Sequence, residues 1–185
     1  MQLLTYLALG DSYTIGEQVP VFESFPYQLI QILRRQFPDI RFAAPEIVAK
    51  TGWTTDELSE GITASSLLPQ YNVVSLLIGV NNQYRGRTVE SYQTEFEALL
   101  KTAIHFADND SSRVFVVSIP DWGVTPFASG RDVTAIAAAI DAYNNACRKI
   151  TESYNCTYLD ITQSQRIDGA NDEYLAGDRL HPSGK

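Results

Sequence analysis

The chain has 185 residues, 44% of them hydrophobic and 19% charged, a globular composition of a size that suits one domain. Fourteen Lys and Arg against 22 Asp and Glu give a net charge of −8 and a pI near 4.7, which argues against nucleic acid or an anionic membrane as partner. The two cysteines, Cys147 and Cys156, form neither a disulfide framework nor a metal-ligand spacing. They read as inert buried thiols.

In chain order, the run Leu3 to Leu9 reads as a buried strand. It is too short to span a membrane and lacks the basic flank of a signal peptide. A soluble protein is expected, cytoplasmic or secreted after loss of a leader. Gly10-Asp11-Ser12 follows at once, with Gly10 expected to let the backbone turn. Tyr27 to Phe37 predicts a helix with Leu29, Ile30, Leu33 and Phe37 on one face, ending at Pro38. Arg41 to Ala49 predicts a second strand, followed by Gly52-Trp53-Thr54. Thr55 is the expected cap of a helix starting at Asp56. Val73 to Ile78 is a strong third strand, leading into Gly79-Val80-Asn81-Asn82.

Thr88 to Asp108 predicts a long amphipathic helix with Phe96, Leu99, Leu100 and Ala103 on its stripe. Arg113 to Ile119 is a fourth strand, stopped by Pro120. Val133 to Tyr154 is a helix with Ile136, Ile140, Tyr143 and Cys147 inward, and Thr157 to Ile161 is a fifth strand. Asp178-Arg179-Leu180-His181-Pro182 lies close to the last residue, Lys185. The alternation of strand and helix, without repeat or linker, predicts a three-layer α/β/α sandwich. It would be built on a five-stranded parallel sheet, with residues 1–185 as one domain.

In such a sheet the loops after the strands share one edge, where ligands bind. Ser12 there is a candidate nucleophile; a turn or cap serine, or a phosphate cradle, competes with it. His181 is one of only two histidines. Asp178, three residues earlier, can accept its Nδ1–H and leave Nε2 free as a base. A helix cap or solvated charge is the plainer reading of Asp178. His105, inside the long helix, reads as structural or surface. Gly52 can offer a backbone N–H, and Asn81 a side-chain amide, to a developing oxyanion. Both are also common turn residues.

Together the four blocks resemble those of the GDSL-type, or SGNH, serine esterases and lipases. They are Gly10-Asp11-Ser12, Gly52, Gly79-Val80-Asn81 and Asp178-Arg179-Leu180-His181, in the family's order. The resemblance implies a flavodoxin-like sheet order 2-1-3-4-5, with Ser12 as nucleophile, His181 as base and Asp178 as its orienting acid. It implies an oxyanion hole made of the Ser12 and Gly52 N–H groups and the Asn81 side chain, and no cofactor. Tyr13 replaces the leucine of the family name, and Asn82 replaces a usual aspartate. Domains of this kind close with a helix after the last loop, and that helix is expected to be absent or truncated here.

The reading is a serine ester hydrolase for small-molecule esters with short to medium acyl chains, lysophospholipids among them. Tyr13, Trp53, Tyr84 and Arg85 are the expected substrate-binding residues, with Ile15, Trp122 and Phe127 nearby and Arg87 beside Arg85 as a possible headgroup contact. A carbohydrate acetylesterase or acyltransferase on the same machinery is the alternative. A non-catalytic module binding phosphate or a nucleotide is the rival from another class.

Overall fold

The computed structural model describes residues 3–185. Five parallel strands form the main sheet: β1 (Tyr6–Asp11), β2 (Glu46–Lys50), β3 (Val73–Leu77), β4 (Val114–Val117) and β5 (Thr157–Leu159). Their order across the sheet is 2-1-3-4-5, all neighbours parallel. Every residue of β1 is buried, as expected for a strand near the middle of a covered sheet. β2 and β5 are the edges and are only partly buried.

Two expected strands are divided. Leu3–Leu4 and Arg41–Phe42 pair in a short separate parallel ladder ahead of the main one. Pro45, which has no N–H, falls between Arg41–Phe42 and β2 and interrupts the run. On the other side of the break, the Asn72 side chain takes the Thr5 N–H at 2.9 Å. β1 then pairs with β3.

The helices are α1 (Ser12–Ile15), α2 (Phe25–Gln36), α3 (Thr55–Ala64), α4 (Val80–Tyr84), α5 (Val89–Phe106), α6 (Val133–Ser153) and α7 (Thr162–Asp168). Leu7, Leu9, Val74 and Leu76 of the sheet join Leu58 of α3, Phe96 and Leu100 of α5, and Ile140 and Tyr143 of α6 in the larger core. Tyr6 and Ala8, alternating with Leu7 and Leu9, meet Ile30 of α2 on the other face. Helices therefore cover both sides of the sheet. Phe37, expected on the inner face of its helix, is exposed because α2 ends one residue earlier.

The helix cap expected at Thr55 is at Thr54. Thr55 is already helical, and the Glu57 carboxylate reaches back to the Thr54 N–H at 2.8 Å. That reciprocal box stabilises the turn leading out of β2. Among the described residues no helix is long and apolar enough to cross a membrane.

Candidate active site

Ser12 is the first residue of α1 and directly follows the last residue of β1. Asp11 caps the turn: its Oδ1 accepts the Tyr13 N–H at 3.0 Å. Gly10 is still in the strand, so it does not make the turn. It provides space instead, since a Cβ there would lie 2.0 Å from Thr14 Oγ1 and 2.5 Å from the Leu77 carbonyl oxygen. As the first residue of α1, Ser12 has a backbone N–H with no intrahelical acceptor.

His181 arrives from the far end of the chain. Its loop folds back as a short hairpin, with the Ala176 N–H donating to the His181 carbonyl at 2.8 Å and the Ser183 N–H to the Tyr174 carbonyl at 2.9 Å. Asp178 Oδ1 accepts the Leu180 and His181 N–H groups, both at 3.0 Å. Its Oδ2 lies 2.6 Å from His181 Nδ1, and His181 Nε2 lies 2.9 Å from Ser12 Oγ. Partial burial raises the pKa of Asp178, but the His181 side chain and the two backbone N–H groups outweigh it and hold the carboxyl below its usual value. An ionised Asp178 fixes the imidazole with Nδ1 as donor. Nε2 is then free to accept the Ser12 proton.

Gly52 and Asn81 complete the edge. Gly52 follows β2 with φ +81, a left-handed conformation that favours glycine. Asn81, in α4, follows β3, and its Nδ2 donates to the Trp53 carbonyl at 3.0 Å. The amide carries a second N–H, available to a substrate oxygen. Asn82 is fully buried: its Oδ1 accepts the Thr55 N–H at 3.1 Å and its Nδ2 donates to Thr55 Oγ1 at 2.7 Å. The Thr55 hydroxyl is thereby free to donate to Glu95. An amide suits this position because it must both accept and donate, which a carboxylate cannot do.

A cavity of about 180 Å³ opens over these groups. Tyr13, Tyr84, Trp122 and Phe127 give it aromatic walls, and Thr51, Val80 and Leu180 are lining residues to which the sequence reading gave no role. Each of the three directly adjoins a named motif residue, and that adjacency was the available signal. The Tyr13 ring packs on the His181 imidazole with centroids 4.9 Å apart. Tyr84 meets Trp122 edge-on at 5.2 Å, and Trp122 Nε1 donates to Gln83 at 2.8 Å. Ile15 is not among the lining residues. Trp53 points elsewhere: its ring covers Gly61 of α3, where a Cβ would meet it at 2.2 Å. Arg85 is also off the cavity, donating to the Gly52 carbonyl at 2.6 Å and pairing with Glu57. Arg87 pairs with Asp56 at 2.7 Å. His105 is exposed on α5 and outside the site. Among the described residues no cluster of three or more His, Cys, Asp or Glu is placed to hold a metal.

A parallel α/β/α sheet carrying Ser, His and Asp in hydrogen-bonded sequence at its C-terminal edge defines the SGNH class of hydrolase fold. Residues 8–185 match the model of the GDSL-like lipase/acylhydrolase family, and the chain belongs to that family of ester-cleaving enzymes. Solved structures share the fold. An acetylxylan esterase from Geobacillus stearothermophilus aligns with TM-score 0.72 and 18% identity, over 100% of this chain and 90% of that one. A psychrotrophic esterase from Pseudoalteromonas aligns with TM-score 0.70 and 19% identity, over 97% and 88%. A lipase/acylhydrolase from Enterococcus faecalis aligns with TM-score 0.67 and 20% identity, over 99% and 88%. A search of curated proteins by sequence found no match.

Proposed function

We propose that the protein is a serine carboxylic ester hydrolase in which Ser12 is the nucleophile, His181 the general base and acid, and Asp178 the group that orients His181. The observation that carries this is the continuous contact from Asp178 Oδ2 to His181 Nδ1 at 2.6 Å and from His181 Nε2 to Ser12 Oγ at 2.9 Å. Ser12 Oγ attacks the ester carbonyl as Nε2 takes its proton. The oxyanion is met by the Ser12 and Gly52 N–H groups and the second N–H of Asn81. Collapse transfers the acyl group to Ser12, and the alcohol leaves with the proton from His181. Water, deprotonated by His181, then releases the acid. Residues 1–185 act in this reading as a single catalytic domain that needs no cofactor.

The small cavity favours short acyl groups over long ones. Arg85 and Arg87 are already paired with Glu57 and Asp56, which favours an uncharged ester over a lysophospholipid. A sugar acetate is a second reading. The rings of Tyr84 and Phe127 are exposed at the cavity mouth and offer stacking faces to a pyranose. One structure with the same fold is an acetylxylan esterase.

The test is turnover of p-nitrophenyl esters from acetate to octanoate, with labelling by a fluorophosphonate probe. Ser12→Ala should lose labelling and at least about 10³-fold in kcat. Rates should be highest on the shortest chains. Persistent labelling would place the nucleophile elsewhere. Binding of a phosphate compound without any ester turnover would favour a non-catalytic module.

A further inference from the structure

Arg85 stands beside the oxyanion site yet does not face the cavity. Around Gly52 the polar backbone groups are nearly all engaged. The Trp53 N–H donates to the Lys50 carbonyl at 3.1 Å. The Gly52 carbonyl accepts from Arg85 at 2.6 Å. The Trp53 carbonyl accepts from Asn81 at 3.0 Å. The Gly52 N–H is left with no acceptor among the described residues. A glycine at φ +81 has wide backbone freedom, and fixing a neighbouring peptide limits how far its N–H can swing. Here the peptide after Gly52 is held on both faces, by Lys50 and by Arg85.

Arg85 is itself fixed at both ends. Its backbone N–H donates to the Asn81 carbonyl at 3.0 Å, one turn back along α4. Its guanidinium lies 3.2 Å from Glu57, the acid of the capping box that opens α3. One short helix therefore presents Asn81 to the site directly and reaches the Gly52 turn through Arg85.

We infer that Arg85 is a positioning residue of the oxyanion hole, keeping the Gly52 N–H aimed at the carbonyl oxygen of the substrate. This rests on the reading that Ser12, Gly52 and Asn81 form that hole. A Coulombic role in ground-state binding would appear in KM. Aiming a donor at the transition state appears in kcat. A donor displaced by about 1 Å can lower the rate about 10²-fold, which sets the upper bound.

The experiment compares Arg85→Ala, Arg85→Lys and wild type on p-nitrophenyl acetate, with Tm measured alongside. Arg85→Ala should lose about 10- to 100-fold in kcat with KM within about twofold and the fold retained. Arg85→Lys, which can still donate one hydrogen bond, should recover part of the loss. Added guanidinium ion, below denaturing concentration, should partly restore Arg85→Ala. Wild-type kcat in Arg85→Ala, or a loss confined to KM, would overturn the inference. Full turnover by Ser12→Ala in the same assay would instead overturn the triad reading, so the two failures are distinct.

Discussion

Asp11 lies beside the proposed nucleophile, and its side chain is wholly enclosed. One oxygen accepts the Tyr13 N–H, and the other has no partner. Burial pushes its pKa up to about 7, with the Tyr13 N–H pulling the other way. An unfolded aspartate titrates near ~4. Between those values the folded protein keeps a proton the unfolded chain has lost. Rising pH therefore favours unfolding, and the stabilisation present below ~4 is gone above about 7. Asp11→Asn keeps the cap and removes the titration. Its Tm relative to wild type should rise from about pH 4 to about pH 7 and level off above that. A constant difference across that range would mean that folded Asp11 is ionised throughout. Asp178 has the opposite sign, because its partners are already donors to the carboxylate. At this scale the places of Ser12, Gly52 and Asn81 were legible because each follows a strand end, and the pairing of Asp178 with His181 from their three-residue spacing. The directions of Trp53 and Arg85 were not legible, because they depend on Gly61 and on the Gly52 carbonyl, which are brought near only by folding.

The elements follow the same division. Long periodic runs such as α5 and α6 ended within about two residues of expectation, since their buried stripes define them. The short helices α1, α4 and α7 have too few turns to show a period, and they went unseen. The Arg41 to Ala49 run looked continuous because apolar spacing carries no trace of a missing ladder hydrogen bond. Thr55 was read as a cap on residue type alone. Thr54 won because Glu57 sits three residues after it, the spacing of a capping box. Removing that cap with Thr54→Ala should cost about 1 kcal/mol, a fall in Tm of about 2–4 °C in a chain of this size. Thermal unfolding followed by circular dichroism checks it, and an unchanged Tm would show that the box contributes little.

Across the molecule, β3 is the central strand of the sheet and Leu76 is fully buried within it. Leu76→Ala should remove about 2–5 kcal/mol. At about 2–4 °C per kcal/mol the Tm falls by roughly 4–20 °C. Calorimetry would show it, and a loss below about 1 kcal/mol would mean that the neighbours collapse into the space. The hydrogen bond between Ser12 and His181 joins positions 169 residues apart. In the proposed mechanism neither partner is reactive without the other, so no piece of this chain short of nearly the whole would carry the chemistry. On that mechanism turnover needs both ends of the chain in place, and it would vanish if the hairpin holding His181 came away while the sheet stayed folded.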